Sequence, residues 1–292
     1  MGFKMLKKVL VLGATGMLGS TLWRRLPKFG YEVWGTVRGA GSERLVGDVD
    51  ATNLLSIERA INEIRPEVVI NCVGVIRQRQ DGQDPVACIS LNALFPHQLA
   101  ALTKRAGTRL IHVSTDCVFS GKTEKPYLES DFADAKDIYG RTKYLGEVSD
   151  PGCITLRTSI IGHEQRGKLS LLEWFLSQTG PVKGYTEAIY SGLPTTELMR
   201  VIGEFVIPNE RLTGLYQVSS DPISKYDLLL KINAIYHKGL SISSDNKVRE
   251  NKSLDSTRFR KETGWFPPTW DQMIRDMHAD FQPQNQLQRD LS

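Results

Sequence analysis

The sequence lacks the features that mark secreted, membrane and metal-dependent proteins. Its 292 residues include four cysteines, none in a CxxC pair, and five histidines without metal-ligand spacing. This pattern predicts free thiols and argues against disulfides or a catalytic metal. No run approaches the roughly 20 apolar residues of a membrane helix, and the apolar run after the first lysines is too short for a signal-peptide core. We expect a cytoplasmic protein without a membrane partner.

The sequence also lacks a strong charge of one sign. Its 37 basic and 33 acidic residues give a net charge of +4, and no long basic run occurs. A nucleic acid polymer is therefore not an expected partner. The hydrophobic fraction of 40% is typical of a soluble globular protein, and the length suits one large domain with a lobe or two domains.

Near its start the sequence contains a glycine-rich turn. The four apolar residues Val9 to Leu12 lead into Gly13, Gly16 and Gly19, and helix-forming residues follow. This order predicts a buried strand, a phosphate-binding turn and a helix whose N-terminus faces a pyrophosphate. The GxxGxxG spacing departs from GxGxxG and alone would also suit an ordinary tight turn.

Strand-like and helical segments alternate five times up to residue 115. The alternation predicts an α/β fold with a Rossmann-type, doubly wound parallel sheet and right-handed crossovers. One of the predicted helices runs from Asn92 to Ala106, with Pro96 near its first turn.

The end of the second predicted strand bears on the choice of cofactor. Residues Gly35 to Ala40 contain no acidic residue, and Arg38 is the first charge. An acid here commonly holds the ribose of NAD, whereas an arginine can pair with the 2′-phosphate of NADP. We therefore expect NADP(H), with NAD(H) as the alternative.

The adenine amino group could be held by Asp48, although a helix-capping role suits that residue equally well. The expected cofactor-binding residues are Gly13, Thr15, Gly16, Met17, Leu18, Gly19, Arg38, Asp48, Val49, Cys72, Val73, Gly74, Tyr139 and Lys143.

A catalytic constellation is predicted from two further motifs. Ser114 and Thr115 end the fifth strand, and Tyr139 and Lys143 form a YxxxK pair whose members share one helix face. A tyrosine serves as an acid or base near neutrality only when a cation stabilises its phenolate, and Lys143 can supply that charge. A hydroxyl from Thr115 can hold the substrate carbonyl.

These motifs together resemble the extended short-chain dehydrogenase/reductases, and most closely the dTDP-4-dehydrorhamnose reductase group. The resemblance is carried by GATGMLG, STDCVFSG, YGRTK and the LRTS segment from Leu156 to Ser159. It implies a catalytic set of Thr115, Tyr139 and Lys143, with Ser114 as a substitute for Thr115. It also implies an NADP-binding Rossmann domain over residues 1–162 and a smaller C-terminal α/β substrate-binding lobe over 163–292, with the region 185–206 returning to the Rossmann domain.

The residue at position 117 separates two activities of this superfamily. Cys117 stands where the reductase group usually has tyrosine, and where the related 4,6-dehydratases carry a glutamate for elimination. The resemblance therefore implies an NADPH-dependent reductase of the 4-keto group of a nucleotide-linked deoxysugar, in polysaccharide precursor synthesis. The nucleotide sugar is the expected partner, and a homodimer is left open. Candidate substrate residues are Ser114, Asp116, Lys183, Arg249 and Lys252.

Two alternatives remain open at this point. One is a nucleotide-sugar epimerase that retains its NAD(P), and the missing acid after the second strand argues mildly against it. The other is a non-catalytic NADP-binding regulatory subunit, because relatives of this reductase group serve as the β subunit of methionine adenosyltransferase. An intact set of Thr115, Tyr139 and Lys143 argues against that role.

Overall fold

Short aliphatic strands build the centre of the protein, for which the computed structural model describes residues 6–76, 84–165 and 169–289. The strands are β1 (Lys7–Leu12), β2 (Tyr31–Thr36), β3 (Leu45–Val46), β4 (Val68–Asn71), β5 (Arg109–Thr115), β6 (Cys153–Thr158), β7 (Ile160–Ile161), β8 (Val182–Tyr190), β9 (Leu193–Pro194), β10 (Gly214–Gln217), β11 (Ile223–Ser224) and β12 (Ile242–Asn251). Seven of them form a parallel sheet in the order β10-β6-β5-β4-β1-β2-β3. The strand order reverses between β1 and β4, which is where ligands bind in such sheets. The predicted doubly wound α/β class is confirmed.

Helices cover both faces of this sheet. The α-helices of the described residues, some of which pack on the C-terminal strands instead, are α1 (Met17–Arg25), α2 (Leu54–Ile64), α3 (Pro85–Cys88), α4 (Phe95–Arg105), α5 (Ile138–Leu145), α6 (Leu171–Ser177), α7 (Thr195–Val201), α8 (Lys225–Ile235), α9 (Thr257–Thr263) and α10 (Trp270–Arg289). Alternate residues of β1 lie in the cores on opposite faces of the sheet. Val9 packs in one core with Leu22 of α1, and Leu10 packs in the other with Ile57 of α2. Successive strand side chains point to opposite faces, so β1 is apolar throughout.

The helix around Pro96 differs from its prediction. It begins at Pro85 rather than Asn92, and Pro96 therefore lies in its interior. A wider π-helical stretch, Ile89–Leu94, precedes α4, and the Phe95 N–H donates to the Ser90 carbonyl instead of the residue four positions back. The wider turn accommodates a proline ring that would otherwise clash with the preceding turn.

The C-terminal part of the chain contributes to two layers. Strands β11, β8 and β12 form a second sheet, and β7 pairs with β9. Strand β10, however, lies beside β6 at the edge of the large sheet. The division at residue 162 stays a prediction, and the large sheet also includes the segment Gly214–Gln217.

Among the described residues, one helical segment has the length and composition of a membrane span. It is Pro85–Arg105, with 21 residues. Half of its most apolar window is buried inside the protein, as in the core helices of soluble proteins, so this segment is weak evidence for a span.

Candidate active site at the ends of the parallel strands

The turn between β1 and α1 depends on two of its glycines. Gly13 has φ +80°, in the left-handed region that favours glycine. A Cβ on Gly19 would collide with the Gly13 carbonyl oxygen, so this glycine allows α1 to pack closely on the turn. The sequence pattern thus marks a close approach of backbone to backbone.

The N-terminus of α1 forms an anion-binding cradle. Gly16 is its N-cap residue and is exposed, as is Thr15. The first N–H groups of a helix lack intrahelical partners and lie at the positive end of the helix dipole. Here they include the N–H groups of Met17 and Leu18. The Leu18 side chain is buried in the core, so only its backbone can contact a ligand. The cradle fits a pyrophosphate.

The loops after β2 and β3 form the adjacent part of the site. Arg38 is exposed, whereas Val49 is buried in the layer below. Asp48 is exposed and has φ +54°. Its carbonyl oxygen accepts a hydrogen bond from Nη2 of Arg59 at 3.1 Å. This contact of Arg59 was not predicted, because nothing in the local sequence indicates that an arginine on a surface helix bonds the backbone of the Asp48 loop.

The end of β4 lies between the glycine turn and the predicted catalytic residues. A Cβ on Gly13 would contact the Val73 side chain at 3.2 Å, so these two segments touch. Burial raises the pKa of Cys72 to about 12, and the charge of Lys143 opposes that rise. Gly74 follows and is exposed. Cys72 to Gly74 thus connect the cradle to Lys143.

Thr115 ends β5 and begins the short turn that follows. Its hydroxyl accepts a hydrogen bond from the Cys117 N–H at 3.1 Å and donates to Oδ1 of Asp116 at 3.2 Å. These two bonds fix the direction of the hydroxyl.

Helix α5 places Tyr139 against this turn. Asp137 caps the helix by accepting a hydrogen bond from the Gly140 N–H at 3.0 Å. A Cβ on Gly140 would collide with the Cys117 carbonyl, so glycine permits the close contact. Burial raises the pKa of the Tyr139 phenol, and the nearby Thr115 hydroxyl opposes the rise. The phenol therefore carries its proton and can donate it.

Lys143 is buried one helical turn after Tyr139. Its Nζ donates a hydrogen bond to the Val113 carbonyl of β5 at 2.8 Å. Burial lowers its pKa to about 8, and the negative charge of Glu147 is the main influence that opposes this fall. The predicted trio of Thr115, Tyr139 and Lys143 is thus brought together by β5 and α5.

Ser114 points away from this trio, because neighbouring strand residues face opposite sides of a sheet. Its hydroxyl donates to Oε1 of Glu147 at 2.7 Å. The same carboxylate accepts two hydrogen bonds from Arg157, at 2.9 and 2.6 Å, and the Arg157 side chain is only 1% exposed. This buried ion pair was not predicted, since the charges are ten residues apart on different elements.

The five candidate substrate residues fall into separate places. Asp116 is buried beside Thr115, and burial raises the pKa of its carboxyl while Lys252 is the largest opposing influence. The Lys252 side chain is 12% exposed and pairs with Glu250. Burial alone would lower the pKa of Lys252, but Cys117, Glu250 and Asp116 raise it overall. Asp116 and Lys252 therefore lie at the site.

Lys183 and Arg249 lie elsewhere. Their side chains are 67% and 79% exposed, on β8 and β12. Lys183 lies 3.8 Å from Asp245, and Arg249 lies 3.3 Å from Glu187. The structure does not bring either cation to Tyr139. Within residues 6–76, 84–165 and 169–289, no group of three or more His, Cys, Asp or Glu side chains is placed to hold a metal ion.

Comparison with known proteins decides the family. The family model for the RmlD substrate binding domain matches residues 7–282. The chain belongs to this family. The resemblance to extended short-chain dehydrogenase/reductases of the dTDP-4-dehydrorhamnose reductase group is thereby confirmed at the family level.

Individual relatives span nearly the whole chain. The spore coat polysaccharide biosynthesis protein SpsK of Bacillus subtilis is 29% identical over 283 residues, covering 92% of this chain and 96% of SpsK. The dTDP-4-dehydrorhamnose reductase of Aggregatibacter actinomycetemcomitans is 25% identical over 297 residues, covering 93% and 98%. The crystal structure of dTDP-4-dehydrorhamnose reductase from Bacillus anthracis, in complex with NADP, has the same fold, with a TM-score of 0.82 at 21% identity and coverage of 94% and 100%.

Proposed function

We propose that the protein reduces the 4-keto group of a nucleotide-linked deoxysugar with NADPH. The main support is that Thr115, Tyr139 and Lys143 lie together at the carboxyl end of β5. This position is next to the end of β4 and the anion cradle of α1. By its family the chain is an NAD(P)H-dependent oxidoreductase of sugar-nucleotide ketones. The particular nucleotide and sugar are part of the proposal.

The cofactor would be held along the ends of β1, β2 and β4. The cradle formed by Gly13, Gly16 and the first turn of α1 suits its pyrophosphate. Arg38 would pair with a 2′-phosphate, and no acid between Gly35 and Ala40 would repel that group. When bound, NADPH supplies the hydride for the ketone.

The chain's own residues would manage the proton and the carbonyl. Tyr139 keeps its proton in the resting protein and donates it to the carbonyl oxygen as negative charge develops there. The hydroxyl of Thr115 turns from Asp116 to donate to that oxygen and so orients it. Lys143, when protonated, stabilises the phenolate that remains on Tyr139.

The substrate side of the site is proposed to include Lys252 rather than Arg249. Lys252 is nearly buried beside Asp116, where its charge acts on both Asp116 and Cys117. A cation in this position can hold a polar or anionic part of a sugar nucleotide. We further propose a cytoplasmic role in deoxysugar or polysaccharide precursor synthesis, supported by the names of SpsK and the reductase relatives.

The test is NADPH oxidation with dTDP-linked and UDP-linked 4-keto-6-deoxysugars produced in situ by a dehydratase. Tyr139→Phe should lose turnover by a factor of about 100 or more while NADPH binding stays nearly unchanged. Tyr144→Phe is the matched control, because Tyr144 is a half-exposed tyrosine on the same helix, and it should behave like wild type.

Two results would each replace the proposed reductase activity with one of the alternatives. If no ketone is reduced and the purified protein carries bound NAD⁺, a retained-cofactor epimerase replaces the proposal. If NADPH binds but no substrate turns over, and a partner enzyme co-purifies in equal amount, the regulatory-subunit alternative replaces it.

A further inference from the structure

One buried hydroxyl near the site has no partner. Tyr190, at the end of β8, is 9% exposed, and its hydroxyl makes no hydrogen bond with the described part of the chain. Ser159 lies close enough to lower the pKa of this phenol, but the geometry does not make a hydrogen bond. Buried polar groups are nearly always paired in native proteins, so a missing partner requires an explanation.

The ring of Tyr190 is held in a fixed position. A Cβ at Gly192 would collide with its hydroxyl, so glycine at that position makes room for the phenol. On the other side, the Trp270 ring lies 5.9 Å away in a tilted contact. Glycine and tryptophan thus confine the phenol to one orientation.

That orientation brings the phenol close to the predicted reaction centre. The same Cβ at Gly192 would also collide with the Ser159 carbonyl, and Ser159 follows Thr158, whose partner on β5 is Thr115. Burial, and after it the charge of Asp116, raises the pKa of the Tyr190 phenol. Asp116 follows Thr115 directly and touches its hydroxyl through the bond described above. Tyr190 is therefore a phenol of the second sheet that lies near the turn after β5.

Thr115 and Asp116 present neighbouring side-chain oxygens at this turn. The Thr115 hydroxyl donates to Oδ1 of Asp116 at 3.2 Å, and when this hydroxyl turns to a substrate ketone the Asp116 carboxylate becomes available to a neighbouring hydroxyl. If Thr115 orients the carbonyl oxygen, Asp116 faces the oxygen of the next carbon. A carboxylate accepts a hydrogen bond from a hydroxyl, and a phenol can donate one to it.

We propose that Tyr190 and Asp116 form a subsite for a hydroxyl on the carbon adjacent to the reacting ketone. Asp116 accepts the proton of this hydroxyl, and Tyr190 donates to its oxygen. The preferred substrates are then α-hydroxyketones, and sugars that lack this hydroxyl are selected against. The inference rests on the proposed function, because Thr115 must first hold the carbonyl.

The test combines protein variants with a matched pair of substrates. The substrates are a dTDP-linked 4-keto-6-deoxyhexose with a hydroxyl at carbon 3 and its 3-deoxy counterpart. Tyr190→Phe should lower kcat/KM for the hydroxyl-bearing sugar about tenfold or more. For the 3-deoxy sugar, the same change should have an effect within about twofold, because no hydrogen bond is lost there. Asp116→Asn should show the same dependence on the substrate hydroxyl.

Tyr236→Phe provides the control for loss of a partly buried phenol. Tyr236 lies in the same part of the chain, but its hydroxyl bonds Nε2 of His163 at 2.9 Å. This variant should keep the wild-type ratio of kcat/KM between the two sugars. Equal loss on both sugars in Tyr190→Phe would make Tyr190 a structural residue and overturn the subsite.

Calorimetry separates failure of the subsite from failure of the proposed function. The two corresponding 4-hydroxy sugar nucleotides are titrated into protein loaded with NADP⁺, so no turnover is needed. Tighter binding of the 3-hydroxy sugar that is lost in Tyr190→Phe supports the subsite even if the enzyme reduces neither ketone. Equal binding of both sugars to wild type, or binding of neither, overturns it.

Discussion

Lys143 and Val113 are joined by a hydrogen bond of 2.8 Å that ties α5, which also carries Tyr139, to the strand that carries Thr115. The bond uses a backbone carbonyl, so it does not neutralise the lysine. Burial instead lowers the pKa of Lys143 to about 8, within the range in which enzymes are assayed. The charge state of this lysine is therefore adjustable by pH.

The first prediction concerns the pH dependence of ketone reduction. Lysine is cationic below its pKa, so Lys143 supports the developing phenolate of Tyr139 below pH about 8 and loses this ability above it. We expect kcat/KM for the ketone to decline as pH rises through this value. Lys143→Arg keeps its charge and should show a lower plateau without that decline; an unchanged alkaline limb would assign it to another group.

A second prediction addresses the contact between Gly140 and the Cys117 carbonyl. Because a Cβ would collide with backbone there, Gly140→Ala should move α5 away from β5. We expect a loss of about 1–3 kcal/mol in the free energy of unfolding and a kcat reduced more than NADPH affinity. Gly180→Ala is the control, since no atom lies within 4 Å of its added Cβ. Wild-type kcat in Gly140→Ala would show that the contact does not position Tyr139.

The third prediction concerns the buried pair of Glu147 and Arg157, whose side chains are 9% and 1% exposed. Glu147→Gln leaves the guanidinium without a counter-charge, and denaturant unfolding should show a loss of about 3–5 kcal/mol. Glu147 also raises the pKa of Lys143, so the alkaline decline should move to lower pH.

Glu58→Gln serves as the comparison for that variant. Glu58 pairs with Arg105 at 3.3 Å, and both side chains are exposed, so its loss should cost less than about 1 kcal/mol. Similar costs for the two variants would contradict the importance assigned to burial.

The fourth prediction tests the choice of cofactor. Arg38→Ala should weaken NADPH binding about 10- to 100-fold, because a charge-assisted contact with the 2′-phosphate is lost. NADH binding should change little, because NADH lacks the 2′-phosphate. Fluorescence titration gives the dissociation constants of NADPH and NADH, and the NADH value is the control for each variant. Equal weakening for both cofactors would indicate that Arg38 supports the loop rather than the phosphate.

The sequence predicted most of the large sheet because its strands are apolar on both faces. Val9 to Leu12 and Val68 to Ile70 are fully buried runs, and glycine or proline separates such strands from the helices. The proximity of Thr115, Tyr139 and Lys143 was predictable for a related reason: parallel strands end at one edge, so a strand-end hydroxyl and a YxxxK helix meet there.

An α/β lobe was expected after residue 162, but strands β8 and β12 of the second sheet were not predicted, and their composition explains why. Strand β12 shows no alternation of buried and exposed residues. Burial alternates along β8, but its inward positions include Gly184, Thr186 and Ala188, so its sequence lacks the large apolar residues that mark a half-buried strand. The roles of Glu147, Arg157 and Tyr190 depend on contacts between elements distant in sequence. No local pattern contains that information.

The position of β10 has a consequence for the order of folding. Strand β6 is buried along its whole length, and its outer neighbour is Gly214–Gln217, made about sixty residues later. Until that segment leaves the ribosome, β6 is an uncovered apolar edge, which is prone to pairing with other chains. A fragment ending at residue 162 should therefore aggregate when expressed alone, and nascent chains should depend on chaperones until the sheet closes.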